Sequence, residues 1–283
     1  MPILVAEGIR AAGHRVACVG FRGMAEPALP DHCDTYAPVG FAQVWKWSRL
    51  LRQHGVREAI MVGRVQKLRI HDPFYLARQI PDLGAARIWF GRLRKDRRTD
   101  SILGAIADEL ESTGVRLINS TIYIQEHLAP LGSLTGDDLP SHCLDAIRFG
   151  RPIVQRMGAL DIGQSLAVTA DRVIAVEAVE GTDAMIERAG ELAAALGLTG
   201  WVLIKMAKPN QDMRFDVPTI GPRTIENLHA AGASCLAVEA NKVIILDRTQ
   251  TLKLCRDHGI SMIGISQNDS ILLQTSPRAE TSL

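Results

Sequence analysis

The sequence predicts an α/β fold with two domains, in which a doubly wound domain precedes a second, distinct α/β domain. Helical and strand-like patterns alternate along all 283 residues, and the strand-like segments are short apolar runs typical of buried parallel strands. Between Leu131 and Pro140 the composition changes to Gly, Ser, Thr, Asp and Pro, as at a domain boundary. We therefore expect a first domain over 1–130, a linker over 131–140, a second domain over 141–268 and a polar tail over 269–283.

The first domain begins with a predicted helix over 2–12, whose apolar residues share one face and which Gly13 ends. Apolar runs predict short strands, which lie at 16–20, 58–62 and 115–119. Helical patterns that end before glycines predict crossovers between these strands, at 41–54 and 101–112. Strands that alternate with helices in this way favour a parallel sheet.

The second domain continues the alternation. Apolar runs predict strands at 201–205 and 262–265 and two hairpins, which pair 166–168 with 172–179 and 235–239 with 243–246. Helical patterns predict four helices, at 142–157, 183–196, 222–231 and 249–258. Two of these have start signals, since Thr182 is a natural N-cap and Gly221-Pro222 places proline in the first turn.

Composition excludes several classes of protein. With 47% apolar residues the chain has enough material to bury a core, and its 32 basic residues balance 31 acidic ones, which excludes polyanion binding by bulk charge. The five cysteines are scattered without a CxxC pair, so we predict reduced thiols in a cytoplasmic protein. The sequence contains no apolar run of about 18 residues, the length that would predict a membrane span. Its first residues do not resemble a signal peptide.

The most informative segment is the loop between the predicted strand 201–205 and the helix that begins at Pro222. Cations beside carboxylates suit a phosphate ester held with a divalent metal ion, and three prolines stiffen the loop. The alternative is a solvated loop with surface ion pairs. The charged and amide residues of this loop are Lys205, Lys208, Gln211, Asp212, Arg214 and Asp216.

Three neighbouring features are weaker candidates. The helix start at Gly221-Pro222, with Thr219 nearby, predicts either a phosphate site or a capped structural helix. Before the helix at 183–196, Asp183 favours the positive helix end, while Glu177 and Glu180 are candidates for metal or substrate contacts. The segment Asp161-Ile-Gly-Gln-Ser165, which contains Gln164, predicts a ligand contact or a simple turn.

A basic segment at 87–98 surrounds two aromatic residues, Trp89 and Phe90. Such a patch can rest on an anionic membrane surface. A solvated helix end explains the segment equally well, and nucleic acid binding has little support because the net charge is only +1.

Taken together, these motifs resemble one family, the UDP-2,3-diacylglucosamine pyrophosphatases of the LpxI type, which act in lipid A synthesis in some Gram-negative bacteria. The matching segments appear in the family's order and span most of 142–265. They are Leu160-Asp-Ile-Gly-Gln-Ser165, Val173-Ile-Ala-Val-Glu-Ala178, Glu180-Gly-Thr-Asp-Ala-Met185, Lys208-Pro, Gln211-Asp, Arg214-Phe-Asp-Val-Pro-Thr-Ile-Gly221, Ala231-Gly and Glu239-Ala.

The resemblance implies a Rossmann-like N-terminal domain, a catalytic α/β domain over 141–268 and a divalent cation, usually Mg²⁺. In the family, water attacks the α-phosphorus of the UDP-sugar and releases UMP and 2,3-diacylglucosamine 1-phosphate (lipid X). The essential aspartate of the family's Arg-x-Asp-x-Pro motif matches Asp216, for which we favour metal ligation. Asp212 and Asp183 are further candidate ligands. The candidate substrate-binding residues are Lys208, Gln211, Arg214, Thr219 and Gln164.

The lipid substrate implies that the protein works peripherally at the inner-membrane surface. The alternative function is a nucleotide-sugar-binding protein without turnover. The oligomeric state, of which a homodimer is one option, is not determined by the sequence.

One departure from the family pattern lies at the start. Family members begin with a strand and a glycine-rich turn, whereas here Met1-Pro2 aligns with the end of that motif. We therefore expect the first strand and the glycine-rich loop to be missing, which leaves an open sheet position beside the strand at 16–20.

Overall fold

The computed structural model describes residues 1–63, 81–91, 99–136, 138–209 and 211–267. It divides into two compact units. The first contains Met1–Ile124 together with Met213–Phe215, and the second contains Gln125–Asp212 and Asp216–Leu283. The predicted α/β class is confirmed, because helices and strands alternate in both units.

The first unit contains two small parallel sheets with helices around them. One sheet pairs β1 with β2, and the other pairs β3 with β4. Its core joins Val39 of β2, Trp47 of α2 and Leu110 of α4. The elements are α1 (Pro2–Ala11), β1 (Ala17–Phe21), β2 (Thr35–Val39), α2 (Val44–Gln53), β3 (Glu58–Ala59), α3 (Leu83–Phe90), α4 (Thr99–Ser112) and β4 (Arg116–Leu117).

The sequence located most of these elements but neither the helix α3 nor the strand β2. The strand has a physical reason for being missed. That strand carries Pro38 and is mostly only half-buried, so it lacks the apolar run that marks the others. Within the described part of this unit, β2 is the strand that pairs with β1, and the opposite edge of β1 carries no other described strand.

The second unit is built on a six-stranded sheet in the order β5-β12-β10-β8-β6-β7. Its central strands β8, β10 and β12 are parallel, and β5, β6 and β7 join them with antiparallel pairings. The strands are β5 (Gly132–Ser133), β6 (Ser165–Val168), β7 (Val173–Val176), β8 (Trp201–Lys205), β9 (Thr219–Ile220), β10 (Ala233–Glu239), β11 (Ile244–Ile245) and β12 (Ser261–Ile265). The helices are α5 (Ser141–Ala159), α6 (Thr182–Ala195), α7 (Pro222–Ala230) and α8 (Arg248–Asp257).

Helices cover both faces of this sheet, and the alternation of side chains along β8 shows the two layers. Trp201 and Leu203 pack into the core shared with α6, α7 and α8. Val202 and Ile204 pack into the core shared with α5. All five residues of β8 are buried, as expected for a parallel strand covered on both faces.

The predicted hairpin of 166–168 with 172–179 is confirmed by the antiparallel pair β6 and β7. The predicted hairpin of 235–239 with 243–246 is wrong, because β11 pairs in parallel with β9 in a separate two-stranded sheet. Asn241 adopts a left-handed conformation with φ of 59°, and Ile244 and Ile245 are both fully buried. The apolar run at 243–246 therefore indicates a strand that is buried on both faces. It does not indicate which strand β11 pairs with.

Two smaller expectations also differ from the structure. The stretch 131–140, predicted as a linker, contributes β5 to the edge of the sheet beside β12. Thr182 is not the N-cap of α6, since Gly181 with φ of 85° takes that position and Thr182 is the first helical residue. In the part of the chain that the structure describes, no helix combines the length and the apolar character that crossing a membrane requires.

Candidate functional site

Polar residues gather at the carboxyl end of the central strands of the second unit. β8 ends at Lys205 and the neighbouring β10 ends at Glu239. The antiparallel strand β6 begins at Ser165, which lies opposite Lys205 in the register. All three residues are buried. Because α/β proteins bind ligands beyond the carboxyl ends of parallel strands, this edge is the candidate site.

Glu239 anchors the start of the loop that follows β8. Its Oε2 accepts a hydrogen bond from the backbone N–H of Ala207 at 2.8 Å, and its Oε1 accepts one from Nε2 of Gln267 at 2.8 Å. Burial raises the pKa of the Glu239 carboxyl, because the charged form loses hydration. The sequence pointed to Glu239 only through the family motif Glu239-Ala; the signal for its anchoring role was a carboxylate that ends an otherwise apolar strand.

Gln211 joins residues that the sequence placed in separate motifs. Its Oε1 accepts hydrogen bonds from Nε2 of Gln164 at 2.9 Å and from the backbone N–H of Lys208 at 3.2 Å. Its Nε2 donates to the backbone carbonyl of Asp216. The carbonyl of Gln164 in turn accepts from the N–H of Met206 at 2.9 Å. The side chain of Gln211 thus contacts three other predicted site residues, Gln164, Lys208 and Asp216.

Lys208 forms an ion pair across two segments, since its Nζ lies 2.5 Å from Oδ1 of Asp161. This pair partly agrees with the alternative of a loop with surface ion pairs. However, the Lys208 side chain is only 20% exposed. The pair therefore holds the lysine against the segment that also carries Gln164.

The three candidate metal-binding aspartates have different surroundings. Asp212 and Asp216 lie at the two ends of one turn, in which the N–H of Asp216 donates to the carbonyl of Asp212 at 3.3 Å. Asp183, in the first turn of α6, instead pairs with Arg223, with 3.6 Å between Oδ2 and the guanidinium nitrogen. The turn from Asp212 to Asp216 is therefore the better candidate for a metal ion.

The carboxylates at the site can be compared with the ligands that a divalent cation requires. Among the described residues, no group of three or more His, Cys, Asp and Glu side chains is placed to hold a metal ion. Mg²⁺ usually takes one or two carboxylates from a protein and completes its shell with water and phosphate oxygens. Asp212 and Asp216 would supply carboxylates of that kind, and a cation bound through them stays a prediction.

The other two predicted binding residues have contacts within their own segments. Arg214 belongs to the first unit, where its guanidinium lies 5.3 Å from the ring centre of Phe215. The hydroxyl of Thr219 donates to the carbonyl of Val217 at 3.0 Å. α7 begins at Pro222 as predicted. The N–H of Gly221 donates to the hydroxyl of Thr224 at 3.3 Å, as in a capped structural helix.

A second cluster lies beside Lys205 and was not predicted. Lys205 Nζ donates to the hydroxyl of Thr182 at 2.7 Å and to that of Ser165 at 3.4 Å. The Thr182 hydroxyl donates to Oε1 of Glu177 at 2.9 Å. The other carboxylate oxygen, Glu177 Oε2, is buried and has no hydrogen-bond partner among the residues that the structure describes. The signal for this cluster was a lysine that ends an apolar strand.

Glu180 has a simpler explanation than Glu177. Its Oε1 lies 2.6 Å from the guanidinium of Arg188, and its Oε2 accepts from the N–H of Ala178 at 3.1 Å. Backbone hydrogen bonds to the carboxylate, followed by the hydrogen bond from Arg188, lower the pKa of Glu180. Glu180 is thus a local structural residue, and of the two glutamates Glu177 is the stronger functional candidate.

Most of the basic segment 87–98 lies outside the described residues, because 92–98 are not among them. The described part is the end of α3. There Phe90 is 77% exposed, and a guanidinium nitrogen of Arg87 lies 3.9 Å from the buried Glu109 carboxylate. The membrane hypothesis for this segment stays a prediction.

Comparison with known proteins supports the resemblance that the motifs indicate. Residues 1–127 match the LpxI N-terminal domain, and residues 130–263 match the LpxI C-terminal domain. The chain is also similar to the UDP-2,3-diacylglucosamine pyrophosphatase LpxI of Caulobacter vibrioides, with 30% identity over 277 residues that cover 95% of each chain. The chain therefore belongs to the LpxI family.

Proposed function

We propose that this protein hydrolyses UDP-2,3-diacylglucosamine to 2,3-diacylglucosamine 1-phosphate (lipid X) and UMP, as a step of lipid A synthesis. The observation that carries the proposal is the loop after β8, which Glu239, Gln164 and Gln211 hold at the carboxyl end of the sheet. This loop presents Asp216 in a fixed backbone position and follows a buried lysine. The named activity of the Caulobacter relative supports the same reaction.

In the proposed mechanism, Lys208 and Arg214 neutralise the diphosphate, while Gln164, Gln211 and Thr219 contact the substrate or the loop that binds it. Asp216, with Asp212, would hold Mg²⁺, and Asp183 is a further carboxylate candidate. When bound, Mg²⁺ would polarise the α-phosphate and stabilise the leaving oxygen. The alternative role of the Asp216 carboxylate is to orient the water whose oxygen bonds to the α-phosphorus while the bond from that phosphorus to the oxygen of the lipid 1-phosphate breaks.

The direct test is an assay of UMP release from UDP-2,3-diacylglucosamine. We expect release with Mg²⁺, its loss in excess EDTA, and its recovery when Mg²⁺ is added back, because the cation would supply the positive charge that polarises the substrate phosphate. Calorimetric titration with UDP separates the alternative function. Binding of UDP without UMP release under any divalent cation would favour a nucleotide-sugar-binding protein and contradict the hydrolase.

We further propose that the protein reaches its lipid substrate as a peripheral protein, through the basic segment 87–98. We expect sedimentation with anionic vesicles at low salt, and its loss when Arg94, Lys95, Arg97 and Arg98 are changed to Glu. A matched control reverses four exposed arginines elsewhere in the first unit, Arg15, Arg49, Arg52 and Arg57. If the wild type and the 94–98 variant sedimented equally with the vesicles, the result would contradict membrane binding through this segment.

A further inference from the structure

Thiol, imidazole and hydroxyl side chains meet at the amino end of the central strands, opposite the candidate site. Cys143 lies in the first turn of α5, and its sulfur is 3.3 Å from Nε2 of His142 and 3.5 Å from Oγ of Ser234 in β10. Cys235 follows Ser234 in the same strand. We call these four residues the thiol cluster. The proposed hydrolysis uses none of them.

An irregularity in β10 brings both Ser234 and Cys235 to the face of the sheet that α5 covers. In the register with β8, Ala233 and Cys235 lie opposite consecutive residues, so Ser234 is the extra residue of a β-bulge. Residues two apart on a regular strand share a face. Here Ala233 packs into the core shared with α6, α7 and α8, whereas Cys235 packs into the core shared with α5. The bulge therefore turns Cys235 toward the helix that carries the other cysteine.

The hydrogen bonds of the thiol cluster favour a thiolate at Cys143. The Ser234 hydroxyl donates to the carbonyl of Gly200 at 2.7 Å, so its oxygen accepts from Nε2 of His142 at 3.2 Å. When Nε2 holds a proton, it also faces the Cys143 sulfur. The hydrogen bond from the Cys235 thiol contributes most to lowering the pKa of Cys143, and the same bond, together with burial, raises the pKa of Cys235.

Two other cysteines show the effect of burial without such donors. Cys255 of α8 is as fully buried as Cys143, and loss of hydration raises its pKa to about 11. In the first unit, burial raises the pKa of Cys18 to about 12. The thiol cluster differs because it combines hydrogen-bond donors with a helix start, where backbone N–H groups favour a negative charge. One sulfur of the pair is thus suited to attack an oxidant, and a protonated thiol lies beside it.

We propose that Cys143 is a site of oxidation by hydroperoxides and that Cys235 then closes a disulfide with it. First, the Cys143 thiolate attacks an oxygen of hydrogen peroxide. An S–O bond forms, the O–O bond breaks, and the departing hydroxide takes the proton held by His142 and leaves as water. Second, the Cys235 sulfur attacks the resulting sulfenic acid. An S–S bond forms, the S–O bond breaks, and the hydroxyl leaves as water with the Cys235 proton. The two thiols lose two electrons, and the peroxide gains them.

The oxidant approaches from the side of His142. Cys143 and Cys235 are fully buried, but the ring that contacts the Cys143 sulfur belongs to an exposed residue. Rotation of this one side chain uncovers the sulfur for a molecule as small as hydrogen peroxide. The inference is independent of the proposed hydrolysis, because it concerns the other end of the sheet and its test does not use UMP release.

The test maps the disulfide in folded wild-type protein. Reduced protein is treated with hydrogen peroxide in thiol-free buffer, alkylated in denaturant and digested with trypsin. We expect the tryptic peptides 117–148 and 224–242, which contain Cys143 and Cys235, to appear as one linked species that a dithiol reductant separates. If Cys235 stayed fully alkylated on a separate peptide, the inference would be wrong.

Three variants assign the roles within the thiol cluster. In Cys235→Ser, oxidation should stop at the sulfenic acid of Cys143, which dimedone traps as an adduct on peptide 117–148. Cys143→Ser should give neither a linked species nor an adduct on peptide 224–242. His142→Asn removes the group that takes and returns the proton, and should slow formation of the disulfide by about tenfold. An adduct on peptide 224–242 in Cys143→Ser would contradict Cys143 as the reacting thiol.

Cys255→Ser is the matched control, since it removes another fully buried thiol of the second unit. Its disulfide should form at a rate within about twofold of wild type. Melting temperatures identify any variant that does not fold. Wild type unfolded in urea is the second control, and we expect its peptides 117–148 and 224–242 to link at least about tenfold more slowly than in folded protein. Equal rates in folded and unfolded protein would show that the geometry of the thiol cluster plays no part, and would overturn the inference.

Discussion

Replacement of Asp216 by asparagine is expected to abolish UMP release and to leave the fold intact. The backbone contacts of Asp216 do not involve its side chain, since its carbonyl accepts from Gln211 and its N–H donates to the carbonyl of Asp212. Asparagine has nearly the same shape and keeps these contacts. The substitution therefore removes a negative charge and little else.

The expected loss in kcat is roughly 1,000-fold or more, because the carboxylate is the group that would hold the cation and orient the attacking water. UMP release is measured at saturating substrate, together with the melting temperature. Asp257→Asn is the control, since Asp257 is an aspartate on α8 that pairs with Lys253 at 2.5 Å in an exposed i,i+4 ion pair. If Asp216→Asn released UMP at nearly the wild-type rate, the result would contradict a catalytic role for Asp216.

A UDP titration of the same variant separates the two roles of Asp216. If the carboxylate binds Mg²⁺, the increase in UDP affinity that Mg²⁺ causes in wild type should be reduced in Asp216→Asn. If it only orients water, that increase should be retained while UMP release is lost. The two results lead to different assignments for Asp212, which would be a second ligand in the first case only.

Local patterns predicted the elements of the second unit well. The apolar run Trp201-Val-Leu-Ile before Lys205 follows Gly200, and the strand β8 has the predicted bounds. α7 begins at Pro222 because proline suits the first turn of a helix. These predictions succeed because propensity, burial and end signals act over a few neighbouring residues.

Strand pairing and the contacts of the site were harder to predict because they depend on distant residues. Nothing near Ile244 indicates that β11 pairs with β9 and not with β10. In the same way, the anchor that Glu239 provides for Ala207 exists because β10 lies beside β8 in the sheet. The candidate loop could be found from its charges, whereas its internal partners required the order of the strands.

Thr182 shows how a local rule can find the right residue and give it the wrong role. A threonine before a helix predicts an N-cap, but Gly181 takes that position in a conformation with φ of 85° that glycine adopts readily. The Thr182 hydroxyl is then available to join Lys205 to Glu177. The departure from the local rule lies at the site, where such departures are expected.

Gly163→Ala is expected to damage both stability and activity, because this glycine lets two segments of the site meet. A Cβ at position 163 would overlap the carbonyl oxygen of Glu177 and lie 2.7 Å from its carbonyl carbon. Backbone atoms cannot rotate away, so the segments that carry Gln164 and Glu177 would have to separate. We expect a loss of about 1–3 kcal/mol in the free energy of unfolding, as for other overpacked positions.

The same separation should lower kcat/KM by about 100-fold at a temperature where the variant is folded, because misplacement of about 1 Å in a site has effects of this size. Gly104→Ala is the matched control, since a Cβ there meets nothing within 4 Å in α4 and should leave stability equal or slightly higher. Unfolding in urea and UMP release are measured for both variants. Loss of stability with unchanged kcat/KM would mean that the Gly163 contact supports the fold without positioning the site. Loss of kcat/KM in folded protein would show that the close approach of these two segments is what places Gln164 and Glu177 for binding.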